Sequence, residues 1–199
     1  TVTSFNSLSI NAAATFTATG VTSVPGFFQC SGSGSLSGLT GLQSATSSLL
    51  ACPTSLPNLT TVTSAGTLFW APSVFQAPAL ATINAPTLQV FLSGNTTVQS
   101  LANFTGTLTL SEGTSGNLTF SALTTVGGGD FNGPNVTGPL SVGSALTGLF
   151  MPNLATVTGN FRVRGFPSLP QAHVDTILGH TTVGGTITYC ANQGGVACP

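Results

Sequence analysis

Seven side chains in this 199-residue chain carry charge or exchange a proton near neutrality: Glu112, Asp130, Asp175, Arg162, Arg164, His173 and His180. Acid–base chemistry would have to be built from these. His173 and Asp175 are two apart, a spacing that does not share a helix face. His180 lies seven residues from His173, but Gly179 is placed to end a helix before it. Serines are plentiful, yet no G-x-S-x-G elbow occurs; Gly34-Ser-Leu-Ser-Gly38 has Leu36 where the nucleophile belongs. A two-carboxylate glycosidase would require Glu112 and Asp130, 18 residues apart, to meet on neighbouring turns; solvated turn residues are the simpler reading. Gly127-Gly-Gly-Asp130 is followed by neither lysine nor helix pattern, so it reads as a turn and not a phosphate cradle. No cysteine pair has zinc-ligand spacing. The chain is expected to be non-enzymatic, without cofactor or metal.

Composition supports that expectation. Charged residues are 3% of the chain, lysine is absent, and Thr (33) and Ser (22) dominate with Gly 25 and Pro 12. Two arginines cannot neutralise a phosphate backbone, so nucleic acid is excluded as a partner. At 41% hydrophobic residues the composition is opposite to that of disorder. No apolar run is long enough to span a membrane. Cys30, Cys52, Cys190 and Cys198 suit two disulfides in an oxidising compartment. Of the three possible connectivities, Cys30–Cys52 with Cys190–Cys198 is preferred because it clasps each end of a repeat array. Five N-x-[ST] sequons, at Asn58, Asn95, Asn103, Asn117 and Asn135, are glycosylation candidates. The expected location is extracellular, secreted or at the cell surface.

The elements that would position these residues come from a repeat. Pro57-Asn-Leu-Thr-Thr-Val62 recurs as Pro78-Ala-Leu-Ala-Thr-Ile83, Ser121-Ala-Leu-Thr-Thr-Val126 and Pro152-Asn-Leu-Ala-Thr-Val157. Degenerate copies lie at Ser100–Phe104 and Ser144–Leu149. Leu59, Leu80, Leu101, Leu123 and Leu146 anchor the copies at spacings of 21, 21, 22 and 23, with the register disturbed before Leu154. Alternating segments follow, among them Thr67–Trp70, Leu88–Leu92, Thr107–Leu110, Asn160–Val163 and Thr186–Tyr189; alternation marks half-buried strands. One helix is expected at Pro170–Leu178. Such a pattern predicts an all-β, single-domain, right-handed β-solenoid of 21–23 residues per turn. Residues 1–54 are its N-terminal cap, 55–190 the repeats and 191–199 a disulfide-closed tail.

The phrase P-x-L-x-x-V followed by G-x-hydrophobic-x-hydrophobic, best seen in Pro152–Val163, resembles the receptor L-domain and related leucine-rich-repeat-like domains of fungal-type GPI-anchored surface glycoproteins. Val183–Cys190 resembles the closing strand and cysteine of such domains. The resemblance spans about residues 55–190 and implies a solenoid without a catalytic motif.

For function, the candidate interaction face comprises Thr15, Thr17, Phe69, Phe91, Thr107, Thr109, Thr119, Arg162, Arg164, Thr186 and Thr188. Outward Phe69 and Phe91, one repeat apart, would form a small apolar patch, and Arg162 and Arg164 the one positive spot. The leading expectation is a glycosylated surface or structural protein that self-associates, because near-zero net charge removes repulsion. Its alternative is a secreted ice-binding protein, since repeated T-x-T resembles the ice-binding face of antifreeze β-solenoids. In this reading the array is interrupted, and Thr61 and Thr156 lie in the return phrase, off the strand face. A carbohydrate or protein recognition module is a further alternative.

Overall fold

The described residues of the computed structural model are 4–10, 18, 20–31, 39–110, 115–132 and 145–196, with backbone alone described at 54, 130–132 and 145. Parallel coils stack into a β-solenoid. Its first strands are β1 (Leu8–Ile10), β2 (Ser23–Cys30), β3 (Ser44–Leu50) and the short β4 (Thr54–Ser55). Next come β5 (Thr61–Thr63), β6 (Thr67–Trp70), β7 (Phe75–Gln76), β8 (Thr82–Asn84), β9 (Thr87–Val90) and β10 (Thr96–Val98). Longer strands follow: β11 (Asn103–Leu110), β12 (Ser115–Phe120), β13 (Thr125–Asn132) and β14 (Ala145–Phe150). The chain then runs through β15 (Thr156–Val157), β16 (Phe161–Arg164), helix α1 (Gln171–Leu178), β17 (Thr182–Val183) and β18 (Ile187–Cys190).

Thirteen of these strands form one parallel sheet. A coil crosses it twice, once through a first half-strand such as β5 or β8 and again through a second such as β6 or β9. The remaining strands lie on a third side, as the pair β4–β7 and the triplet β10–β12–β14. Alternation places every second residue inside. Val24, Ala45, Val62 and Ile83 pair in register, as do Leu50, Trp70, Val90 and Leu110 on the second halves. All eight are buried. A single coil cannot cover such an apolar row, but its neighbours can.

The leucine anchors behave as a column. Leu42, Leu59, Leu80, Leu101, Leu123 and Leu154 are all at most 1% exposed. The amide following several of them donates to the preceding coil: Thr60 N to Gln43 O, Ala81 N to Thr60 O, Thr124 N to Ala102 O and Ala155 N to Thr124 O. Burying each leucine contributes about 1.5–3 kcal/mol. Leu146 is not the expected anchor. It lies on β14 opposite Gly116, and Leu154 takes the place in the column. Residues 1–54, expected as a cap, contribute β1–β3 to the same parallel sheet. There Leu39-Thr-Gly-Leu42 makes the turn of the later phrase, Leu42 N donating to Leu39 O as Leu59 N does to Leu56 O.

At the corner between half-strands the coils approach closely. A Cβ on Gly127 would fall 1.8 Å from Thr105 O, and one on Gly106 2.4 Å from Ala85 O. Helix α1 forms where expected, with Pro170 as N-cap and Gly179 as C-cap, and buries Val174 and Ile177. It packs beside β14, taking the third-side position of a strand in that coil. The Cys30–Cys52 disulfide joins two consecutive coils at a separation of 22 residues. Cys190 is also disulfide-bonded; Cys198 lies outside the described residues. Among the described residues no helix is long and apolar enough to cross a membrane.

Candidate functional site

The first half-strands carry an outward column. Ser4, Ser23, Ser44, Thr61 and Thr82 are consecutive register partners. Asn103, Thr125, Thr156 and Thr182 continue it without a gap. Each is exposed or half-buried, whereas the residue after it along the strand points inside. Neighbouring strands are about 4.8 Å apart, so the polar groups repeat at that interval. Every member is Ser, Thr or Asn.

A second outward row runs two residues further on. Thr46, Thr63 and Asn84 are paired in register, and Thr105, Gly127 and Thr158 occupy the equivalent positions of later coils. Two of its hydroxyls are tied down: Thr46 Oγ1 donates to Pro25 O and Thr158 Oγ1 to Gly127 O, each at 3.1 Å. The flanking turn hydroxyls behave alike, Thr60 Oγ1 donating to Gln43 O and Thr124 Oγ1 to Ala102 O. Such bonds to the preceding coil fix side-chain rotamers along the face.

This array corrects the sequence reading. Thr61 and Thr156 are not off the strand face; they sit on β5 and β15, inside the main sheet. The phrase ending each repeat does not only return the chain: its last residues are the first half-strand. The signal was present in the Ser, Thr or Asn that precedes each of the buried Val24, Ala45, Val62, Ile83, Phe104, Val126 and Val157.

The expected interaction residues fall into separate groups. Thr67, Thr87 and Thr107 pair in a column on the second half-strands, and Phe69, Gln89 and Thr109 form the next. Thr109 Oγ1 donates to Leu88 O at 3.4 Å. Phe69 and Phe91 do come together, their rings stacked 6.3 Å apart, although both are half-buried. Arg162 is flanked in register by Asp130 and Thr188, and Arg164 by Asn132 and Cys190. Thr186 is exposed at the final coil. Thr119 stands apart on the third side, between Thr97 and Phe150. Thr15 and Thr17 lie outside the described residues.

Four sequons can be placed. Asn58, Asn95 and Asn103 are exposed and Asn117 half-buried. Asn58 Nδ2 donates to Thr40 O, Asn95 Oδ1 accepts from Asn117 N, Asn103 Oδ1 accepts from Thr124 Oγ1, and Asn117 Oδ1 accepts from Thr147 Oγ1. Asn135 lies outside the described residues, as does Glu112.

Asp175, His173 and His180 each have a separate neighbour. Asp175 accepts from Gln171 Nε2 on its own helix at 3.0 Å, the His173 ring lies 4.6 Å from that of Phe150, and His180 Nε2 is 3.1 Å from Met151 O. Among the described residues there is no cluster of three His, Cys, Asp or Glu able to hold a metal ion. No family model, curated protein or solved structure matches the chain.

Proposed function

We propose that this is a non-enzymatic extracellular protein that adsorbs to ice through the flat face of its first half-strands. The observation that carries this reading is the unbroken Ser/Thr/Asn column from Ser4 to Thr182. A threonine offers ice a hydroxyl and a methyl group together, and a β-sheet repeats both at about 4.8 Å, close to a repeat of oxygen atoms in hexagonal ice. Lack of charge helps, since no ammonium or carboxylate on the face holds its own tight water shell. The receptor-L-like coil, secretion and glycan occupancy of the sequons away from the column belong to the same reading, with Asn103, inside the column, left bare. Its test is direct: an ice crystal grown in dilute purified protein should become faceted or stop growing, while a Thr82→Tyr variant should leave growth unaltered. Rounded growth with the wild-type protein would overturn it.

Self-association is the second reading, favoured by a different observation. Ile187 and Tyr189 continue the inward ladders of Phe161 and Val163, yet are 45% and 41% exposed, and among the described residues β18 pairs with β16 alone. An apolar end of this kind suits a second copy. Filaments in negative-stain micrographs, with ice growth unchanged, would place this reading first.

A further inference from the structure

The third side is interrupted between β7 and β10, which do not pair, and a cleft of about 360 Å³ opens there. That volume is within the range of small-ligand sites. Its wall includes Trp70, Gln76, Ser93, Asn95, Thr96 and Gln99, and none of its lining residues is charged. Trp70 is held in place by its own bond, Nε1 donating to Phe75 O at 3.0 Å, and at 2% exposure it closes the base of the cleft with only its edge. Thr96 Oγ1 is fully buried and has no hydrogen-bond partner. A buried hydroxyl without a partner costs about 1–3 kcal/mol, which a ligand hydroxyl at the cleft would offset. Gln76 and Gln99 are exposed at the mouth, with amides that both donate and accept.

An indole edge at the base, amides at the rim, one unsatisfied hydroxyl and no charge form a set suited to a neutral sugar. Apolar ligands would strand the polar groups, and ionic ones would find no counter-charge. We propose that this cleft binds a neutral saccharide, with Thr96 Oγ1 as a buried anchor. Two sources offer that chemistry: a free oligosaccharide, or the first sugars of a glycan on the chain's own Asn95, whose sequon Asn95-Thr-Thr97 lies at the cleft. The site does not depend on the ice-binding reading, because it lies on another side of the solenoid.

Trp70 is the only tryptophan, so fluorescence excited selectively in tryptophan, which leaves Tyr189 silent, reports on this place alone. Protein from a non-glycosylating host should be titrated with laminaritriose, chitotriose and mannotriose. A saturable change is expected with at least one, weakened at least fivefold in Gln99→Ala and in Thr96→Val. Thr96→Val should keep or raise the melting temperature, since no protein bond is lost, so weaker binding cannot be ascribed to unfolding. Protein from a glycosylating host separates the sources: binding that appears only in Asn95→Gln identifies the resident glycan as occupant, and equal binding in both identifies free sugar. Flat titrations with all three sugars in the folded protein, or unchanged affinity in both cleft variants, would overturn the proposal.

Discussion

The main sheet and the third side are built from the same coils, yet one is continuous and the other is not. Along the first half-strands register survives every irregularity. Leu123 and Leu154 are 31 residues apart, but Thr125 still pairs Thr156 and Val126 still pairs Val157. The extra length lies in the chain between the end of β13 and the start of β14. On the third side, two-residue strands give way to a gap, then to a triplet, then to a helix. Constancy of shape therefore follows the buried ladders, and variation is confined to the side where coil length differs. A surface that must match a lattice belongs on the first, and a site that must enclose a small molecule on the second.

Substitutions that treat the two sides differently test this division. The largest effect is expected from Thr82→Tyr, in the middle of the column, which should abolish ice shaping with an unchanged melting curve. Thr97→Tyr, exposed on the third side, should leave ice shaping intact; equal loss in both would erase the distinction. Next is Leu101→Ala in the anchor column, expected to cost about 2–5 kcal/mol in chemical denaturation. Phe150→Ala, on the third side and 38% exposed, should cost less than about 1 kcal/mol. Removing the Cys30–Cys52 bridge as a double serine variant should destabilise by about 3 kcal/mol for its 22-residue separation, read as a lower denaturation midpoint. Thr158→Val deletes the bond to Gly127 O; about 1 kcal/mol is expected, with partial loss of ice activity because one hydroxyl of the second row is gone.

Much of the scaffold is legible in the sequence because apolar alternation and leucine spacing are direct consequences of burial. Thr67–Trp70 is a strand with Phe69 outward and Trp70 inside, the leucines at 59, 80, 101 and 123 do share a buried column, and helix α1 starts after Pro170 and stops at Gly179. Leu146 misled because Ser144-Ala-Leu-Thr copies the phrase in composition while Leu146 itself lies on β14. The hydroxyl column was hidden by the corner. The register shift between Phe104 and Thr107 breaks the alternation at this corner, so the first half of the strand read as the return phrase. The cleft had no signal at all, since it depends on two strands that fail to meet.

The Cys30–Cys52 bridge has a mechanical consequence. Coils stacked in one dimension peel from an end, each leaving without help from distant neighbours. Under tension from the N-terminus, peeling would reach β2 and then find its last residue tied covalently to the next coil. The 22 residue steps from Cys30 to Cys52 are thereby kept out of the extensible length, which removes about 75 Å of slack at full stretch. A pulled molecule would show a missing step under oxidising conditions that returns on adding a thiol.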